Sequence, residues 1–236
     1  MRIVSWNING LNAAFTNGML DHILGMEPDI ICFQEIRANN MHFLNYPPDG
    51  YRLYINSAKR AGYGGTLVYT KLRPYGVRTK LFNYNDDEGR AQFLPFDLFI
   101  LCNVYAPHVG TDYSKINKKR YFMKSLQQTM LHLTESNRPV IFCGDFNIAN
   151  ICQYRAYPGR KIPGFTSDEH EIFQDFLSKA LYVCSPQVDQ GDTVSVSRML
   201  DHFIVCEKLL PYIKSVKMDM SLLNTAHSPL VMEINF

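Results

Sequence analysis

The sequence predicts an α/β fold in which two β-sheets pack face to face with helices on the outside. Short apolar runs bounded by turn residues outnumber stretches with helical spacing, and no long Gly/Ser-rich or charged linker, internal repeat or low-complexity segment divides the chain. At 236 residues a layered fold of this kind is a single core, so one domain spanning 1–236 is expected. Apolar residues make up 46% and charged residues 19%, which supplies enough apolar side chain for a packed interior and excludes a disordered chain.

Taken in order, Ile3–Trp6 is the first run whose branched and aromatic residues suit a strand. Leu20, Ile23 and Leu24 then keep helical spacing up to the break at Pro28. Further strands are expected at Ile30–Phe33, Leu53–Ile55, Thr66–Tyr69, Phe93–Phe96 and Phe99–Val104, the last two separated by a tight turn. Phe122, Leu126, Met130 and Leu133 recur at i, i+4, i+8 and i+11, the period of one helix face. Val140–Cys143 reads as a buried strand. Ile172, Phe173, Phe176, Leu177 and Ala180 follow Thr166-x-x-Glu169, a capping box that starts a helix. Phe203–Val205 and Val231–Ile234 complete the series of strands.

A net charge of +2 is too small to identify a polyanion binder, because such a protein needs its positive charge gathered on one face. The six cysteines, Cys32, Cys102, Cys143, Cys152, Cys184 and Cys206, show no C-x-x-C spacing, and most sit in apolar runs. They read as buried, reduced thiols in a reducing compartment, not as zinc ligands or a disulfide frame. No segment approaches the length of an apolar membrane span, and the first twenty residues carry no signal-peptide pattern. An intracellular location is expected, in cytoplasm or nucleus, with no membrane partner.

Polar residues stand at the ends of the apolar strands, where a sandwich presents its loops to ligands. Singly, each has a bland reading. Asn7 and Asn9 before Gly10 make an ordinary turn, and Glu35 after Gln34 is an ordinary surface carboxylate. The pair Asp145 and Asn147 follows Val140–Cys143 through Gly144, a residue that suggests close approach of a ligand to the backbone. Asp201 and His202 interrupt the run Met199–Val205, where a carboxylate needs a partner, and His227 precedes the last strand.

Together these residues form an ordered series: Trp6-Asn7-Ile8-Asn9-Gly10, Gln34-Glu35, Gly62-Tyr63-Gly64-Gly65, Glu88-Gly89-Arg90, Asn103-Val104-Tyr105-Ala106-Pro107, Gly144-Asp145-Phe146-Asn147, Leu200-Asp201-His202 and His227-Ser228-Pro229. In that order the series resembles the exonuclease III type of apurinic/apyrimidinic endonuclease, within the exonuclease–endonuclease–phosphatase superfamily, over essentially the whole chain. Gly164-Phe165-Thr166 ahead of a helix is similar to the same branch. The resemblance implies a four-layered α/β sandwich, two packed mixed β-sheets flanked by helices, with the site at one end. It implies that Glu35 holds Mg²⁺ or Mn²⁺ with Asn9 near the metal. Asp145 would polarise the attacking water, with Asn147 and Asn7 positioning it and the phosphate, and Tyr105 would reach the scissile phosphate. His227, oriented by Asp201, would donate to a phosphoryl oxygen. Independently of any family, phosphodiester hydrolysis needs charge neutralised on phosphoryl oxygens, a water delivered in line and a stabilised leaving oxygen, and these residue types supply all three.

Two departures bear on function. Where the family reads Ser-Asp-His before the last strand, this chain reads Thr225-Ala226-His227, so one carboxylate on the metal side is absent. Either the enzyme works with a single metal-holding carboxylate, or its activity is weakened, or the carboxylate has been replaced deliberately. The family's aromatic wall for a flipped-out baseless sugar is also missing from Thr193–Leu200, where Met199 and Leu200 are the apolar candidates, a short form similar to retrotransposon endonucleases. For DNA contact the candidates are Arg37, Tyr63, His108, Lys118, Arg160, Lys161, Met199 and Leu200, with Lys59, Arg60, Lys71, Lys119, Arg120 and Arg155 as further phosphate contacts. The run Lys118-Lys119-Arg120 equally fits a solvated helix face. The expected function is Mg²⁺-dependent incision of double-stranded DNA 5′ to abasic sites by a monomer, with trimming of 3′ ends. Nicking of intact DNA, a weakened DNA-binding protein and a phosphatase of inositol lipids are the alternatives.

Overall fold

The first strand, β1 (Arg2–Asn7), runs parallel to β2 (Ile30–Gln34), and both are buried over nearly their whole length. Burial on both faces explains why their sequences read as continuous apolar runs and not as alternating ones. A parallel pair needs a crossover, and two short helices provide it, α1 (Leu11–Thr16) and α2 (Met19–Gly25). The computed structural model describes residues 1–38, 47–134, 138–156, 161–179, 181–184, 196–222 and 225–236.

The remaining strands are β3 (Arg52–Asn56), β4 (Thr66–Thr70), β5 (Ala91–Pro95), β6 (Ile100–Tyr105), β7 (Val140–Asp145), β8 (Leu181–Cys184), β9 (Asp201–Cys206), β10 (Ile213–Met218) and β11 (Leu230–Ile234). They form a six-stranded sheet in the order β10-β11-β1-β2-β4-β3 and a five-stranded sheet in the order β5-β6-β7-β9-β8. Both sheets are mixed, because β6 and β7 are also parallel and are joined through the long helix α3 (Ile116–Thr134). The helices α4 (Ile151–Ala156) and α5 (Ser167–Leu177) follow β7. Thr166 and Glu169 cap α5 reciprocally, as the Thr-x-x-Glu spacing predicts.

Three apolar layers separate four structural ones. Between the sheets lie Ile3, Ile30, Cys32 and Val68 from the first and Leu101, Ile141, Cys143 and Phe203 from the second. The other face of the first sheet carries Val4, Trp6, Ile31 and Phe33 against Leu11, Leu20 and Ile23 of α1 and α2. The other face of the second carries Cys102, Val104, Phe142 and Ile204 against Phe122 and Leu126 of α3 and Phe173 and Phe176 of α5. Alternate side chains of one strand thus serve two layers, which is the sandwich expected.

Four elements had no signal strong enough to read. β8 is a four-residue edge strand, and β10 is an edge strand whose Lys214 and Lys217 break the apolar pattern. Helices α1 and α4 are each six residues, too short to establish a period. The thiol reading also needs correction: Cys32, Cys102 and Cys143 are buried, but Cys152 is exposed on α4 and Cys184 and Cys206 are half-buried. A run of apolar neighbours buries a residue only when the element has a neighbour on that side. Among the described residues no helix is long and apolar enough to cross a membrane.

Candidate active site

Strand register assembles the site. Asn7 lies beside Gln34 at the ends of β1 and β2, with Glu35 next in the chain. Tyr105, Asp145 and Asp201 form one row across β6, β7 and β9, so Asp201 does not interrupt a strand but begins one, directly opposite Asp145. The two sheets therefore deliver their polar residues to the same mouth.

Asn7 joins them. Its Nδ2 donates to Glu35 Oε2 at 3.2 Å and to Asp145 Oδ2 at 2.9 Å, while its Oδ1 accepts from the Asn9 amide at 3.1 Å. Asn147 closes on Asp145 from the other side. Its backbone amide reaches Oδ1 at 2.8 Å, and its Nδ2 donates to Ala106 O at 2.9 Å and lies 3.3 Å from Oδ2. Asn9, Glu35 and Asn147 all hold left-handed backbone, at φ 49°, 53° and 53°, a conformation found where tertiary structure over-determines it.

His227 Nδ1 is 2.6 Å from Asp201 Oδ2, and the His227 carbonyl accepts from Trp6 Nε1 at 3.1 Å. Burial disfavours the charged imidazole. The Asp201 carboxylate and its hydrogen bond, with Asp145 and Glu35 behind, outweigh that and hold His227 well above its ordinary pKa, at about 9. Burial likewise pushes the Asp201 carboxyl up, and the His227 charge opposes the shift. Tyr105 is driven far up by burial, reinforced by the Glu35 and Asp145 carboxylates, so it stays a neutral hydroxyl donor. The guanidinium of Arg90 lies 4.7 Å over the Tyr105 ring and donates to the Tyr105 carbonyl at 2.9 Å. Arg90 is itself buried and tied to Glu88 Oε2 at 2.7 Å. Its place in the Glu88-Gly89-Arg90 motif was visible, but its role as a clamp on Tyr105 was not, since Arg90 leads into β5 and Tyr105 ends the neighbouring β6.

Beneath the mouth, Asn103 Nδ2 donates to the Phe33 and Leu67 carbonyls at 3.1 and 3.0 Å, and its Oδ1 accepts from Gln34 Nε2 at 2.8 Å. A side chain of one sheet thereby fixes the spacing of the other. Gly144 has a different purpose from the one its position suggests. A Cβ there would lie 1.9 Å from Val104 O, so the close approach is to strand β6 and not to a ligand.

The expected DNA contacts divide. Arg37 is exposed and binds Glu35 Oε1 through Nε at 3.0 Å and through Nη2. Tyr63 is exposed with the Arg60 guanidinium 5.5 Å from its ring, and Lys59 pairs with Asp87 at 2.6 Å. Lys118 reaches Glu88 at 2.5 Å. His108 is solvent-exposed on one side and accepts from the Gly110 amide at 2.9 Å through Nδ1, while partial desolvation of its ring and the Lys119 charge lower its pKa. Arg120 and Arg155 are exposed, and Lys161 lines a cavity of about 490 Å³ with Tyr113, Tyr154 and Phe165. Arg160 and Thr193–Ser195 lie outside the described residues.

Three placements are corrections. Lys119 is wholly buried in an ion pair with Glu169, because it falls on the inner face of α3, so it cannot meet a phosphate. Lys71 lies beyond the end of β4 that pairs with the start of β2, opposite the end carrying Glu35. Met199 and Leu200 are only 7% and 6% exposed, packed with Ala149 and Phe165, which leaves them little surface for DNA. His202, the second residue of its motif, is a core histidine: burial lowers its pKa to about 4, and its Nε2 bonds to Ile148 O at 2.6 Å.

Among the described residues, ligand atoms of Asp145, Asp201 and His227 lie within 4.8 Å of one another, but the raised pKa of His227 keeps its imidazole protonated at neutral pH, so the carboxylates are the donors this cluster offers a cation. The carboxylate of Glu35 is a second donor, joined to this cluster through Asn7. Carboxylate and carboxamide oxygens are hard donors suited to a hard divalent cation. Asp201 Oδ1 is buried without a hydrogen-bond partner, so the cluster has an acceptor to spare. Ala226 is exposed beside His227, and its methyl side chain offers no ligand atom.

The chain is 28% identical to a DNA-(apurinic or apyrimidinic site) endonuclease of Dictyostelium discoideum, a match covering all of this chain and 71% of that one. It is also 28% identical to an exodeoxyribonuclease of Bacillus subtilis over the full length of both. Among solved structures, a 3′-5′ exonuclease from Neisseria meningitidis superimposes with a TM-score of 0.80 at 20% identity, covering all of both chains. An AP endonuclease from Archaeoglobus fulgidus gives 0.80 at 17%, again over both full chains. Residues 4–217 match the endonuclease/exonuclease/phosphatase family, and the chain belongs to it.

Proposed function

We propose that this protein is a metal-dependent phosphodiesterase of base-excision repair that incises double-stranded DNA 5′ to abasic sites and trims 3′ ends. The observation that carries the reading is the single Asn7 amide bridging Glu35 and Asp145, with the Asp201–His227 pair alongside. One point at the mouth is thus reached by carboxylate acceptors and by amide, hydroxyl and imidazolium donors.

In this reading Asp145 accepts a hydrogen bond from the attacking water, oriented by the Asn7 and Asn147 amides that already hold its carboxylate. His227 stays protonated through neutral pH and donates to a non-bridging phosphoryl oxygen, a role its raised pKa suits better than proton abstraction. The neutral Tyr105 hydroxyl donates to the same phosphate. Glu35 and Asn9 would hold Mg²⁺ or Mn²⁺, which when bound neutralises charge on the departing 3′-oxygen. Arg37, Tyr63, His108, Lys118 and Lys161 are the surface groups we assign to DNA, Arg37 and Lys118 by exchanging their carboxylate partners for phosphates.

The named relatives act on apurinic or apyrimidinic sites or are exodeoxyribonucleases, which favours repair incision over nicking of intact DNA, a weakened binding role and lipid phosphatase activity. The test uses three duplexes with Mg²⁺: one carrying a tetrahydrofuran abasic analogue, one intact and one with a recessed 3′ end. Incision at the analogue and shortening of the recessed end are expected. Nicking of intact DNA at an equal rate, or binding without cleavage, would overturn the proposal.

A further inference from the structure

We propose that the buried Lys119–Glu169 ion pair is a positioning device for the phosphate site, holding Asn147 in its left-handed conformation from behind. The proposal rests on the nuclease reading above and adds to it two residues that touch neither water nor phosphate.

Lys119 Nζ donates to the Asn147 carbonyl at 2.6 Å and to Glu169 Oε1 at 2.7 Å, and both ionic side chains are completely shielded from solvent. Glu169 Oε2 accepts from the Gly164 amide at 2.7 Å and from Thr166 Oγ1 at 2.8 Å. The Gly164 carbonyl in turn accepts from the Ala149 amide at 2.9 Å. The ammonium and carboxylate thus tie four segments together: helix α3, the loop after β7, the turn at Gly164 and the start of α5. Gly164 approaches so closely that a Cβ would lie 3.3 Å from Asn147 O and 2.6 Å from Leu200 Cδ2.

The geometry matters because of what Asn147 does at its other end. Its amide and side chain hold both oxygens of Asp145, and its backbone is at φ 53°, a left-handed conformation that asparagine tolerates and that must be kept for both bonds to form. The carbonyl bound by Lys119 belongs to the same residue. Holding that carbonyl fixes ψ of Asn147, and its release would free the residue to draw its amide and side chain off Asp145. A buried ion pair contributes little net stability, and replacing both partners by apolar side chains of similar volume is often tolerated. Stability alone therefore gives a weak reason for two charges at this place, whereas fixing the loop that carries Asn147 gives a direct one.

The experiment compares the native protein with Glu169→Gln and with the double variant Lys119→Met/Glu169→Leu. Cleavage of the abasic-analogue duplex is resolved into kcat and KM, and amide hydrogen exchange is measured over residues 145–149. For each variant that folds, kcat is expected to fall about 100-fold, as for a small misplacement of reacting groups. KM should stay within about threefold, since no DNA contact is removed. Exchange at the Asn147 amide should rise by roughly tenfold or more, reporting local opening of the loop. A folded variant with native kcat and native exchange at Asn147 would overturn the proposal. Should the native protein cleave none of the duplexes, the nuclease reading fails by itself, and the exchange measurement still decides whether the pair holds the loop. If the double variant does not fold, Glu169→Gln decides, because its one carboxamide oxygen cannot accept from both Lys119 and the Gly164 amide.

Discussion

At the scale of single residues, the site is a set of hydrogen bonds whose donors and acceptors are assigned by geometry. Asp145 accepts from Asn7 and from the Asn147 amide, so its oxygens are aimed and its charge is compensated without being neutralised. Asp145→Asn keeps shape but exchanges an acceptor for a donor. Steady-state kinetics should show kcat lowered by about 100-fold or more, with DNA affinity in a binding titration within severalfold. His227 supplies the pH dependence. Its pKa is raised above the ordinary histidine value by Asp201, so the imidazolium persists through neutral pH and is lost as pH rises through about 9. The pH–kcat profile should have an alkaline limb there, and His227→Gln should remove the limb while lowering the plateau. Glu35, Asp145 and His227 could be picked out of the sequence only through the ordered series of motifs, since singly each reads as an ordinary residue. The Arg90 clamp and the burial of Lys119 could not be read there, because both depend on which side of a strand or helix faces a neighbouring element.

At the scale of elements, the strand ends and the loops after them are held by different means. β7 enters the site through Gly144, which packs directly on the backbone of β6. Gly144→Ala would drive a methyl group into Val104 O from a positive φ, and a cost of about 3 kcal/mol is expected in a denaturant melt. A glycine that served only ligand approach would instead leave stability unchanged and weaken DNA binding. Helix α5 depends on its reciprocal cap, where Thr166 and Glu169 satisfy orphan backbone amides. Thr166→Ala should lower stability by about 1 kcal/mol in the same melt. The cap was readable from spacing alone because it involves residues three apart. The second engagement of Glu169, with Lys119, spans fifty positions and leaves no local trace.

At the scale of the whole molecule, the two sheets must keep a fixed spacing for Asn7 on one to reach Asp145 on the other. Asn103 and Gln34 set it beneath the mouth, with the apolar layer of Ile3, Cys32, Ile141 and Cys143 behind them. A site made of parts from both sheets is sensitive to any substitution that changes a donor at the mouth. Ala226 is such a position, exposed beside His227 with a side chain that carries no carboxylate. Ala226→Asp adds a carboxylate at that side. Titration with Mg²⁺ should show a lower half-saturating concentration, with cleavage at low Mg²⁺ faster by about tenfold, or about 1.4 kcal/mol of barrier. An unchanged titration would mean that Glu35 and Asn9 already suffice.

The sequence by itself determined the layered class, the main strands and the helix cap, since these follow from local periodicity and spacing, while the candidate site residues came from the ordered series of motifs. Tertiary structure alone decided the edge strands β8 and β10, the true reason for Gly144, and which cations are free to meet DNA. A period of side chains tells which face is apolar. Only packing tells which neighbour occupies that face, and whether a charge near it finds water or a buried partner.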